Sequence, residues 1–86
     1  MQKIEFSPKA WEDYEYWETQ DKKTLRKIKQ LIKELQCHPK TGEGHPESLK
    51  DNLSELWIRH INKKDRIIYE IFEDKVSLIQ LRIHYE

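Results

Sequence analysis

The sequence predicts an α+β fold: a short N-terminal strand and two antiparallel helices packed on a mostly antiparallel, twisted sheet. Three observations predict it. Apolar residues recur at three-and-four spacing from Ala10 to Leu35; both glycines, Gly42 and Gly44, gather with Pro39 and Pro46 in one stretch; and beyond Pro46 the apolar period switches to two. With 86 residues the chain is expected to form one domain over residues 1–86. With 36% hydrophobic against 37% charged residues, its core should be thin and rich in aromatic rings.

Residues 2–6 alternate polar and apolar through Ile4 and Phe6, the pattern of a short strand. Ser7 and Pro8 then mark a helix start, because serine accepts a backbone N–H and the fixed φ of proline suits the first helical position. This helix should run to about Thr19, with Ala10, Trp11, Tyr14 and Trp17 as core and partner surface. Asp21 caps a second helix whose Leu25, Ile28, Leu31, Ile32 and Leu35 form one stripe. His38 ends it, since the residue before a proline is pushed out of the α region. A loop to Pro46 follows, then strands at 56–62, 66–72 and 76–85 separated by polar turns at 63–65 and 73–75.

Sixteen basic and sixteen acidic residues cancel, which argues against a uniformly cationic nucleic-acid binder. The distribution is uneven, however. Glu12, Asp13, Glu15, Glu18 and Asp21 make the first helix acidic, whereas Lys22, Lys23, Arg26, Lys27, Lys29 and Lys33 make the second basic. These are two solvated faces, or else the second is a cationic ridge for RNA phosphates. The single Cys37 forms no internal disulfide and fits a reducing cytoplasm. No apolar run is long enough for a signal peptide or a membrane span, so a soluble cytoplasmic protein is expected. Cys37, His38 and His45 flank one loop without a fourth ligand or a zinc spacing, and no metal site or cofactor is implied.

If both strand turns hold three residues, Asn62 faces Arg66 and Phe72 faces Val76, and odd positions of all three strands share one side. That side carries Trp57, Ile61, Ile67, Tyr69, Ile71, Ile79, Leu81 and Ile83 and should pack on the helices, with Arg59 as its misfit. The even side splits into an apolar shelf of Leu56, Ile58, Phe72, Val76 and Leu78 and a cationic end of His60, Arg66, Arg82 and His84. In this register Arg66 faces Arg82, an unfavourable pair unless an anion lies between them. Arginine forks suit phosphate oxygens, and a histidine titrating near neutrality can protonate a leaving group. Phosphodiester chemistry is the reading these residue types favour.

The stretch GEGHPESLKDNLSELWIRHINKKDRIIY, the AWEDYEYW helix and the terminal histidine–tyrosine pair resemble the YoeB/Txe branch of the RelE/ParE toxin superfamily, end to end. The resemblance implies a RelE-like fold and a ribosome-dependent messenger-RNA interferase, neutralised by a cognate YefM/Axe-like antitoxin. It implies Glu47 as general base on the 2′-hydroxyl, Arg66 as stabiliser of the transition state and His84 as acid for the 5′-oxygen. Lys50 would neutralise the phosphate, and Tyr85 would help position RNA. His60 and Arg82 join them as phosphate contacts. His60 stands where the family pattern has an arginine, and Asp65 where it often has a histidine. The ribosome and messenger RNA are then the working partners, and a homodimer is compatible with the family. A different class of function, blocking DNA gyrase by protein binding as ParE toxins do, needs no acid and no base. A catalytically weak regulator bound to its antitoxin is the third reading.

Overall fold

A computed structural model describes residues 2–49 and 55–82. The order is β1 (Lys3–Phe6), α1 (Pro8–Gln20), α2 (Lys22–Cys37), β2 (Glu47–Ser48), β3 (Leu56–His60), β4 (Arg66–Ile71) and β5 (Lys75–Gln80). The strands form one five-stranded sheet in the order β1-β5-β4-β3-β2. Among the described residues only the β1–β5 pair is parallel; the other three pairs are antiparallel. Two helices on a mostly antiparallel sheet is the expected class. Among the described residues no helix is long and apolar enough to cross a membrane.

Each helix begins where its capping side chain dictates. Ser7 Oγ accepts from Ala10 N at 3.0 Å and donates to the Ile79 carbonyl at 2.8 Å, so one hydroxyl both caps α1 and docks it on β5. Asp21 closes α1 and opens α2, accepting from Thr24 N at 3.1 Å and Thr24 Oγ1 at 2.7 Å. From α2, Leu25, Ile28, Leu31 and Leu35 are buried against Ile61, Ile67, Tyr69, Val76, Leu78 and Leu81 of the sheet side. Burial of each such aliphatic side chain is worth roughly 1.5–3 kcal/mol. Trp17 is buried with them. Trp11 remains 49% exposed, stacked on Tyr14 and edge-on to Phe6.

The register departs from expectation in two places. Across β3 and β4, His60 lies opposite Arg66 and Leu56 opposite Glu70, so the connection spans 61–65 and not 63–65. Parity survives this two-residue slip: Trp57, Arg59, Ile67 and Tyr69 still share the helix side. The longer turn is built by Asn62, whose Oδ1 accepts from both Lys64 N and Asp65 N. Across β4 and β5, Ile71 lies opposite Val76, where Phe72 was expected. That one-residue change flips the side chains of β5, so Val76 and Leu78 leave the anticipated outer shelf and are wholly buried in the core. A bulge between Leu78 and Gln80 adds a residue and places Gln80 opposite Ile68. β5 ends at Gln80, Leu81 and Arg82 follow in a bend, and the remainder of the expected 76–85 strand lies outside the described residues.

Arg59, the anticipated misfit of the core side, is fully buried. Its Nη1 donates to the Glu43 carbonyl at 2.8 Å, its Nη2 to the Thr41 carbonyl at 2.7 Å and to the His38 carbonyl, and its Nε to the Tyr69 hydroxyl at 3.1 Å. Burial pushes the Tyr69 phenol up, which keeps it protonated, and it donates to the Pro39 carbonyl at 2.7 Å. Four loop carbonyls are thereby tied to two strand side chains. Lysine cannot reproduce that fork, so Arg59→Lys should destabilise the fold by about 2–4 kcal/mol, read as a drop in the denaturation midpoint. An unchanged midpoint would show that the loop needs no such anchor.

Candidate active site

The loop that Arg59 ties down also delivers Glu47. Gly44 sits at φ +88°, and a Cβ there would lie 3.2 Å from Leu31 Cδ2 and 3.3 Å from both Arg59 Cβ and the His60 carbonyl. Only glycine fits this approach without displacing a neighbour. The Gly44 carbonyl accepts from His60 N at 2.7 Å, bringing the chain alongside β3 just before β2 begins. Glu47 then pairs opposite Ile58, on the sheet face turned away from the helices.

On that face Glu47 Oε1 lies 3.9 Å from His60 Nε2, and His60 is directly opposite Arg66. Arg66 Nη1 donates to the carbonyls of Asn62 at 2.8 Å and Asp65 at 3.1 Å. Among the described residues it pairs with no carboxylate. A carboxylate, an imidazole and a guanidinium with donors to spare thus meet at one corner of the sheet. The cross-strand pair Ile58 and Ile68, both buried, forms the apolar floor beside them.

His60 faces two ways. Its ring also lies 5.9 Å from that of His45, and the two line, with Lys27 and Lys63, a cleft of about 520 Å³ between α2 and the 42–45 loop. Partial burial, the positive charge of Arg66 and that of His45 hold the His60 imidazole below its ordinary value, and Glu47 offsets part of this. The imidazole is therefore mainly neutral at neutral pH and has room to gain a proton when an anion arrives.

The structure brings Glu47, His60 and Arg66 together. It does not place Arg82 with them, contrary to expectation: Arg82 follows the end of β5 in a bend, its guanidinium carbon 3.7 Å from the centroid of the Tyr16 ring on α1. The cause is that α1 takes both hydrogen-bonding groups of Leu81 and draws the chain toward the helix. Lys50, His84 and Tyr85 lie outside the described residues. Asp65, which stands where the family pattern often has a histidine, is buried and bonded within its turn, accepting from Asn62 Nδ2.

Sequence reasoning missed Asp13. Counted among the solvated acids of α1, it is wholly buried, holding Leu81 N and Lys9 Nζ. The signal was present, since position 13 falls between Ala10 and Trp17 on the buried stripe of the helix.

The chain has relatives over nearly its whole length. A family model described as the YoeB-like toxin of bacterial type II toxin-antitoxin systems matches residues 6–85. The chain belongs to the YoeB toxin family. It is 40% identical over 83 residues to toxin YoeB of Escherichia coli K12, covering 96% of this chain and 99% of that protein. The YoeB dimer from Staphylococcus aureus superposes with a TM-score of 0.88 at 36% identity, covering 98% of each chain. YoeB in the heterotetrameric YoeB–YefM complex of the same organism matches with a TM-score of 0.84 at 36% identity, covering 99% of each chain.

The depressed His60 value gives a prediction for this YoeB-family site. The unfolded chain protonates near 6.5, before the folded one, so stability should be lost as pH falls through that value. Phosphate bound at Arg66 should raise His60 and bind more tightly as pH drops. NMR titration of the His60 ring with and without inorganic phosphate checks both signs; titration above 6.5 in the free protein would contradict the account.

Proposed function

We propose that the chain is a ribosome-dependent messenger-RNA endoribonuclease, cutting in the ribosomal A site as the toxin of a type II toxin-antitoxin module. One observation carries the reading: a carboxylate and two cationic or protonatable groups, Glu47, His60 and Arg66, share one open sheet corner, with Glu47 Oε1 3.9 Å from His60 Nε2 and Arg66 on the residue opposite His60. A binding module that only blocks an enzyme has no use for that set.

RNA carries its own nucleophile, so a base, an acid and a cationic clamp suffice for the chemistry. Glu47 takes the proton of the 2′-hydroxyl, whose oxygen attacks the adjacent phosphorus. The bond to the 5′-oxygen breaks as His84 gives that oxygen a proton, leaving a 2′,3′-cyclic phosphate and a 5′-hydroxyl. Arg66 meets the charge that accumulates on the non-bridging oxygens, and His60, protonated as phosphate binds, assists it. Lys50 adds positive charge, and Tyr85 helps position the RNA. No cofactor enters this scheme.

Positioning of the message falls to the ribosome. The exposed Lys22, Lys23, Arg26, Lys27, Lys29 and Lys33 of α2 form the surface that would meet ribosomal RNA. A YefM-like antitoxin would restrain the activity in the cytoplasm by laying an acidic or amphipathic segment over the cationic corner. A homodimer, as in the Staphylococcus aureus relative, is consistent with the reading.

Mapping of messenger-RNA 5′ ends after brief induction is the direct test. Wild type should produce new ends within coding regions, and His84→Ala should not. Glu47→Gln should slow cleavage on purified ribosomes by roughly two to four orders of magnitude. Cleavage retained by His84→Ala would remove the histidine from its role as acid, and inhibition of gyrase without new ends would favour the ParE-like alternative.

A further inference from the structure

α1 grips the chain at the point where it leaves the sheet for the residues that include His84. Asp13 Oδ2 accepts from Leu81 N at 3.0 Å, and Trp17 Nε1 donates to the Leu81 carbonyl at 3.0 Å. Both bonds are buried, as is Leu81. The next residue, Arg82, lies over the Tyr16 ring, and upstream Ser7 holds the carbonyls of Leu78 and Ile79, the second at the bulge. One helix therefore sets the path of the chain from Leu78 to Arg82.

The chemistry of the grip is stronger than packing requires. A buried carboxylate is costly, and where only helix-to-sheet packing is at stake an apolar side chain serves as well or better. A carboxylate on a backbone N–H is a charge-assisted bond with a defined direction, and Lys9 Nζ at 2.8 Å holds the other oxygen in place. With the indole bond on the opposite side of the same residue, Leu81 is fixed in position and in rotation.

We propose that Asp13, Trp17 and Tyr16 are positioning residues for the general acid, fixing the point and direction from which the chain runs on to His84. The inference rests on the nuclease reading above. Proton donation to a leaving oxygen tolerates little misplacement, and a shift of about 1 Å can cost on the order of a hundredfold in rate. None of the three side chains needs to touch RNA for this to hold.

The test uses ribosome-bound messages with either an ordinary 5′-oxygen or a bridging 5′-sulfur at the scissile phosphate. A thiolate leaves without being protonated, so only the oxygen substrate depends on the acid. Trp17→Phe and Asp13→Asn should lose about 10- to 100-fold in single-turnover rate on the oxygen substrate and stay within about twofold of wild type on the sulfur substrate, with ribosome affinity unchanged. Tyr16→Leu, at a half-buried position, provides the same comparison should either core variant fail to fold. Leu35→Val, chosen to lower the melting temperature without touching the grip, should affect both substrates equally.

Equal losses on both substrates, or none on either while wild type cuts both, would overturn the positioning role and leave the nuclease reading standing. Failure of wild type on the oxygen substrate would remove the nuclease reading itself, and this inference with it.

Discussion

The architecture depends on a buried cation. Arg59 sits at a core position of β3 and is fully buried, where an unsolvated guanidinium would be prohibitively expensive. Among the described residues no carboxylate neutralises it; backbone carbonyls of His38, Thr41 and Glu43, with the Tyr69 hydroxyl, take its protons. The bonds work in both directions. They solvate the charge, and they give an irregular segment with two glycines a fixed path from the end of α2 to the start of β2. Glu47 reaches His60 because this segment has somewhere to be anchored.

The second constraint is the division of the sheet into two faces. The one-residue offset between β4 and β5 sends Val76 and Leu78 into the core, and the bulge at Ile79 reverses that offset before the chain reaches Leu81. Without the bulge the side chains following β5 would exchange faces. The same residues receive the bonds from Ser7, Asp13 and Trp17, so the helix stabilises the irregularity that it requires. Core packing and the path of the chain out of β5 thus draw on one set of contacts.

Much of this was legible in the residues. The stripe from Leu25 to Leu35, the Ser7–Pro8 start, the Asp21 cap and the period-two segments all declare themselves, because helix and strand periodicities are local. That His60 and Arg66 share one end of one face followed from parity, which a two-residue slip leaves intact; the slip itself sets them directly opposite. What was not legible is non-local or turn-dependent. Asn62 extends its turn through side-chain bonds that spacing does not reveal, and the β5 bulge is a negotiation between two strands. β2, at two residues, has no period to detect. Arg59 stood out only as a misfit of the core side and Asp13 read as an ordinary surface charge, since nothing local says which carbonyl or amide will arrive to meet them. Glu47 was found through family resemblance and not through its surroundings in sequence.

At the centre of the account stands attack by the substrate's own 2′-hydroxyl at the corner defined by Glu47, His60 and Arg66. Placing a single 2′-deoxynucleotide immediately 5′ of the scissile phosphate in an otherwise ordinary ribosome-bound message addresses this most directly. The account predicts that cleavage at that bond disappears while ribosome binding persists. Cleavage at the same bond and rate in the deoxy-substituted message would contradict it.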